Sequence, residues 1–417
     1  MIKKILTIAS IRPDFIRLSE LIKLLDKNKN FEHILLHTGQ HFDYEMDKIF
    51  FDQLGIRHPD INLGMGKELS SGGNRSDHNY QTAFLNINLT EWMDKLKPDI
   101  TVILGDSNLV TVTPTLAKNG HKIAHIEAGM RAFSFETPEE INRKVIDHCS
   151  YRLYHYLENY ARNLILEGIP SHKIKTVGNI IVDALYQFGH KAQKPNTLHN
   201  WIKSDEFIAQ PVKLEPQKFI FATIHRHENT SNLTRLNNII TNIESFAKRS
   251  AKMPVYLVLI PSAIRQFKKL GIIKLETVNI IKPLGYLEAL WMEKNARLII
   301  HDSGSVQEEA FVLGTPCLTM RNSTERPETV EAGGTCLISP DDDESVYSME
   351  WAVKIGMKKE WDRTLLGDGH TSMRICYDLV ECLENPAINM NNYMYSPQQF
   401  ARARTQSYLG GDINESL

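Results

Sequence analysis

ARLIIHDSGSVQEEA, residues 296–310, holds a strand, a turn and the start of a helix in one short stretch. An apolar run ends in His301-Asp302, Ser303-Gly304-Ser305 form a small-residue turn, and Glu308 and Glu309 stand where a helix opens. Free backbone N–H groups and the helix dipole converge at such a junction, so it is a ready anion site. Short apolar runs of the same kind recur along the chain: ILTIA, FEHILLHT, DITVILGD and KIAHIEAG, then KFIFATIH, VYLVLIP, NIIKPL, RLIIHD and PCLTM. They alternate with segments of helical period, which is the pattern of parallel sheets wound by crossover helices. The rhythm lapses once, across residues 185–217, where three prolines and many polar residues gather. The expected fold is therefore α/β, with two Rossmann-like doubly wound domains facing a central cleft. Their spans would be 1–187 and 188–372, with the segment 373–417 returning to the first domain and its polar, Gly-containing end partly mobile.

Composition narrows the function. Lys plus Arg number 48 against 50 Asp plus Glu, a net charge of -2, so no nucleic-acid partner is expected and any phosphate binding must be local. The opening MIKKILTIASIRPDF has too short an apolar run for a secretion signal and reads as a first buried strand. No run reaches the roughly 18 apolar residues of a membrane span, and a cytoplasmic protein is expected. Five cysteines, with no CxxC among them, suggest reduced thiols rather than disulfides or zinc. His37 and His41 have the spacing of helical metal ligands, but Gly39 interrupts them and no HExxH pattern accompanies them. No metal is expected.

In open α/β sheets ligands bind beyond the carboxyl ends of the strands, so polar residues after apolar runs are the candidates. Arg12 and Arg17 follow the first run, and a guanidinium pair at a helix entrance suits phosphate. Asp106 ends DITVILGD, and Glu127 ends KIAHIE. Pro138-Glu139-Glu140 opens a helix on which Arg143 lies four residues after Glu139, a spacing that lets the two pair. Glu139 and Glu140 could simply complement the helix dipole. Several acids on one cleft edge can instead raise one another's pKa and so provide an acid and a base near neutral pH. His225 ends KFIFATIH and could donate to phosphate or carry a proton. Beyond it, Ser303, Gly304 and Ser305 would cradle an anion, and Glu308 or Glu309 could bond a neighbouring hydroxyl pair as acids do for ribose. A nucleoside diphosphate fits both. Arg321, Glu325 and Arg326 follow in GTPCLTMRNSTERPETV.

GDSN, HIEAGMR, PEEINR, VGNIIVDAL, HRHEN, DSGSVQEEA, LGTPCLTMRNSTERPE and the early IRPDFIR…HTGQHFD stand in the order seen in the non-hydrolysing UDP-N-acetylglucosamine 2-epimerases and relatives acting on other UDP-2-acetamido sugars. The chain resembles that family over about residues 1–380. The resemblance implies a glycosyltransferase-B type fold, a homodimer, a UDP-2-acetamido sugar substrate and a place in making cell-surface polysaccharide precursors. It also implies roles: Asp106, Glu127 and Glu139 as acid/base carboxylates with Arg143 beside them, and His225 on the diphosphate side. Ser303, Gly304 and Ser305 would hold the diphosphate, Glu309 the ribose, and Arg12 and Arg326 other parts of the substrate. No nicotinamide loop of the GxGxxG type is found, which favours elimination of UDP and re-addition over transient oxidation, with no cofactor. The chain departs from the family pattern at Ser10-Ile11-Arg12-Pro13-Asp14, at Arg17 where lysine is usual, at Ser107 where threonine is usual, at Ser305 where glycine is usual and at Pro261-Ser262-Ala263. These departures lead us to expect a modified sugar, deoxy or uronic. A hydrolysing epimerase, a glycosyltransferase of the same fold and a non-catalytic UDP-sugar-binding regulator stay open.

Overall fold

The structure, a computed structural model, describes residues 2–39, 51–71, 78–134, 137–201, 207–260, 263–264 and 275–384. In the first half, β1 (Lys3–Ala9), β2 (Phe31–His37), β3 (Ile61–Asn62), β4 (Ile100–Leu104), β5 (Ile123–Ile126), β6 (Arg152–His155) and β7 (Ile174–Thr176) pair in the order β3-β2-β1-β4-β5-β6-β7. Every pairing is parallel. Helices cover both faces, so successive strand residues enter different cores: Ile5 and Ala9 of β1 pack in one, Leu6 and Ile8 in the other. That double burial is why these runs are almost wholly apolar.

The second sheet contains β8 (Thr197–Trp201), β9 (Phe207–Pro211), β10 (Ile220–Ile224), β11 (Val255–Leu259), β12 (Val278–Ile281), β13 (Leu298–His301), β14 (Cys317–Met320) and β15 (Thr335–Ile338). Its order is β15-β14-β13-β10-β11-β12-β8-β9. β10 to β15 are parallel, while β8 runs antiparallel to β12 and β9 to β8. The pair β8–β9 corrects one expectation, because it lies inside the polar stretch read as a break. β9 is an exposed edge, and Asn200 Nδ2 donates to Gln210 Oε1 across the pair at 2.7 Å, so polar residues serve there and leave no apolar run.

Both sheets reverse their winding once, between β1 and β4 and between β10 and β13. Such switch points open a crevice at the strand ends. Arg12 and Asp106 lie at the first, His225 and Ser303 at the second.

The Thr371–Glu384 helix follows the second sheet in sequence but packs on the first domain, with Ile375 and Leu379 in the core that holds Phe15 and Leu18. Asp183 caps it by accepting the Thr371 and Ser372 amides at 3.0 and 2.6 Å. Arg152 donates to both oxygens of Asp378 at 2.8 and 2.6 Å. Residues 385–417, His41 and the Pro261-Ser262 pair lie outside the described residues. Among the described residues, no helix is long and apolar enough to cross a membrane.

Candidate active site

The acid-bearing loops of the first domain are bent by unusual backbone. Gly105 has φ of 77° and Glu127 φ of 76°, the left-handed region that costs a residue with a Cβ roughly 1–2 kcal/mol. Two residues on, Gly129 also has φ of 81°, and a Cβ there would lie 2.3 Å from the Tyr160 carbonyl oxygen. The turn after β5 therefore needs glycine, and it leaves Glu127 buried beneath the cleft.

Asp106, Glu127 and Arg143 come together with less predictable partners. Arg143 meets Asp106 at 2.6 Å, Glu140 at 3.0 Å and, across the cleft, Glu325 at 3.5 Å. The expected Glu139–Arg143 pair is thus corrected. Glu140, buried three residues before Arg143, takes that place and also accepts the Ala132 and Phe133 amides at 2.8 and 3.3 Å. Glu139, partly exposed, faces Arg226 of the second domain at 4.0 Å. Burial works to raise the Asp106 carboxyl, but Arg143, Arg226 and Arg326 outweigh it and hold it below its ordinary value. Arg12 starts the Arg12–Lys27 helix at the mouth of the same switch point.

On the opposite wall Ser303 caps the Gly304–Leu313 helix, its Oγ accepting the Val306 amide at 3.5 Å. Burial lowers His301 to about 3, so it is a neutral imidazole; its Nδ1 accepts the Ser303 amide at 3.1 Å. A Cβ on Gly304 would lie 2.3 Å from Arg326 Nη1, so the buried guanidinium can rest on the helix entrance only because residue 304 is glycine. Asp302, also buried, accepts the His225 and Arg226 amides at 3.1 and 3.0 Å and Asn229 Nδ2 at 3.0 Å, which ties the HRHEN loop to the phosphate-type turn. His225 itself stays about half exposed toward the cleft.

Two of the departures from the family pattern meet here. Arg17 donates to Glu127 and, with its other terminal nitrogen, to Ser305 Oγ. One side chain thus spans from an acid of the first domain to the cradle of the second. Glu308 is held by Arg326 at 2.9 Å and by Asn179 at 2.9 Å, leaving Glu309, bonded by the Tyr286 hydroxyl at 3.3 Å, as the acid not committed to an arginine. The sequence assigns no role to Asp302, Glu325 or Arg226; an acid directly after a strand histidine was the available signal for the first, whereas Glu325 acts through partners scattered over the chain.

The model of the UDP-N-acetylglucosamine 2-epimerase family matches residues 23–380. The chain belongs to that family. It is 38% identical to the UDP-N-acetylglucosamine 2-epimerase of Methanococcus maripaludis, over 88% of this chain and 96% of that one. It is 36% identical to the UDP-2,3-diacetamido-2,3-dideoxy-D-glucuronate 2-epimerase of Pseudomonas aeruginosa, over 89% and 98% respectively. The Methanocaldococcus jannaschii UDP-GlcNAc 2-epimerase, solved in complex with UDP-GlcNAc and UDP, superposes with a TM-score of 0.78 at 34% identity, covering 90% of this chain and 99% of that one. Within the epimerase family the chain is an isomerase with two Rossmann-like domains, as its motifs imply.

Burial pushes the Glu309 carboxyl up to about 7, against Arg17 and Tyr286, with the Glu308 charge adding to the rise. Its folded pKa exceeds its ordinary 4.5, so folding favours the protonated form. The stability this provides is complete below about pH 4.5 and is lost as pH rises through about 7. Glu309→Gln is expected to flatten that loss. Thermal unfolding of the ligand-free protein between pH about 5 and about 8 checks it, and identical slopes in both proteins would count against Glu309 as the titrating group.

Proposed function

We propose that the chain inverts C2 of a UDP-2-acetamido sugar by eliminating UDP and adding it back. The observation that carries this reading is the division of labour between the walls: acids at the strand ends of the first domain, and a glycine-opened helix N-terminus flanked by Arg326 and His225 on the second. C2–H of such a sugar is not adjacent to a carbonyl, so its direct removal is hard. Departure of UDP from C1 leaves oxocarbenium character that acidifies C2–H, and a carboxylate can then take the proton to give a 2-acetamidoglycal. Returning a proton to the other face, followed by re-addition of UDP at C1, inverts the centre.

Glu127, Asp106 and Glu139 are the groups for these proton transfers, with Arg143 setting the charge of Asp106. Ser303, Gly304, Ser305, Arg326, His225 and Arg12 would hold the diphosphate while it is detached, because backbone amides and fixed cations stabilise the charge developing on the leaving group. Glu309 would take the ribose hydroxyls. UDP-2-acetamido sugars are supported as the substrate class by the names of the relatives, which include both a plain and a diacetamido uronic sugar.

The test is turnover of several UDP-2-acetamido sugars in deuterated water, followed by NMR. Deuterium should appear at C2 of the epimerised nucleotide sugar. Epimerisation with the original hydrogen retained would rule out elimination, and accumulation of free sugar with UDP would point to the hydrolysing branch.

A further inference from the structure

Beneath the two acid-bearing turns of the first domain lies a buried ionic group that the proposed reaction does not use directly. His125, in β5, is fully buried, and both of its ring nitrogens are engaged. Nδ1 lies 2.7 Å from Asp147 Oδ1, and Nε2 lies 3.0 Å from the Gly105 carbonyl oxygen. A carbonyl oxygen only accepts, so Nε2 must carry a proton. Asp147 receives donors from other sides as well: the Gly129 amide at 3.1 Å and Arg131 Nη2 at 2.8 Å, both on Oδ2. Burial works to raise its carboxyl, but His125 and Arg131 outweigh this and keep it below its ordinary value. An ionised carboxylate also only accepts, so Nδ1 must carry a proton too. A neutral imidazole has a single N–H and would turn a lone pair on one of these oxygens.

We infer that His125 is a fixed imidazolium which, through Asp147, holds the Asp106 and Glu127 turns in register, and is thereby a positioning residue for the epimerase reaction. The connections are short. Nε2–H draws in the carbonyl of Gly105, the residue directly before Asp106. Asp147 Oδ2 fixes the amide of Gly129, two residues after Glu127, where the left-handed backbone needs support. A histidine bonded to a buried aspartate suggests the base of a hydrolytic triad, but here the second nitrogen is blocked by a carbonyl, so the pair cannot take a proton from substrate. The groups facing it balance in charge: the His125 and Arg131 cations against Asp147 and Glu167, the last bonded by Arg131 at 2.9 Å. Loss of the His125 proton would leave a net negative charge buried under two acids and raise their pKa.

The inference deepens the proposed epimerase reading but is testable without it. In the ligand-free full chain, 15N-labelled at histidine, NMR at neutral pH should show both His125 ring nitrogens protonated. A neutral tautomer at that pH would overturn the inference whatever the enzyme's substrate. His125→Gln should lower kcat about thirtyfold, within the range of misplaced acid/base groups, and displace the pH profile of kcat, while UDP affinity by calorimetry stays within about twofold. Unchanged kcat, or equal losses in kcat and UDP binding, would also overturn it. If the variant fails to fold, the NMR measurement on the unaltered protein decides alone.

Discussion

Replacing Glu127 by Gln is expected to lower kcat by about a hundredfold or more, the range for groups that move a proton in the transition state. Asp106→Asn and Glu139→Gln should fall in the same range, with UDP binding little changed because the residues proposed to hold the diphosphate, Arg12 apart, belong to the other domain. Glu127 is the most informative of the three. It is buried, sits at a strained backbone position and touches Arg17, so its amide keeps the shape and removes the charge. Single-substrate kinetics together with UDP calorimetry on the three variants checks this. Near-normal kcat in all of them would leave these acids as no more than complements to strand-end and helix-end dipoles.

The largest expected effect on stability belongs to Glu325. Its carboxylate is buried among Arg321 at 2.8 Å, Arg143 at 3.5 Å, Arg226 at 3.6 Å and Arg326 in direct contact. Burial alone would raise its pKa, but the arginines reverse that and hold it well below the ordinary 4.5. Glu325→Gln removes the anion and leaves the cations facing one another, a change that costs about 3–5 kcal/mol when a buried pair loses one partner. Because the folded pKa is depressed, the stabilisation from Glu325 is present above about pH 4.5 and is lost as pH falls below it. Urea unfolding at neutral pH should therefore separate the two proteins strongly, and the gap should narrow in acid. Glu139→Gln, with its partly exposed carboxylate 4.0 Å from Arg226, serves as the control and should change stability by less than about 1 kcal/mol. A Glu325 variant as stable as that control would mean the arginines are satisfied elsewhere.

The strands readable in advance, β1, β2, β4, β5 and β10 to β14, are mostly apolar runs, as strands covered on both faces tend to be; β6 is just as buried, but Arg152 and His155 at its ends break the apolar pattern. β3, β7, β8 and β9 are short or lie on polar edges, and nothing in their composition distinguishes them from loop. Residues that close a strand were legible as site candidates for the same geometric reason, and Asp106, Glu127, His225 and Ser303 all face the cleft region from such positions. Pairing was less legible. Glu139 and Glu140 are both within reach of Arg143 along the helix, and only the tertiary placement of Arg226 decides which one turns away. Glu325 gathers arginines from positions 143, 226, 321 and 326, a grouping that no local window contains. The role of His125 depends on what lies at its second nitrogen, which sequence does not state.

The return of the Thr371–Glu384 helix to the first domain has a mechanical meaning. The polypeptide passes between the domains twice, once after Phe188, where the Gln193 amide already bonds Leu287 of the second domain, and again between Trp361, whose ring packs against Phe311 at a tilt of 32°, and Thr371. The passages lie side by side, since the Leu366 carbonyl accepts the Asn179 amide and Asp183 caps the returning helix. Two adjacent straps act like paired pins on a door: they leave a swing about the line joining them and resist twist about the axes across it. Any separation of the acid wall from the cradle is then confined to that one swing.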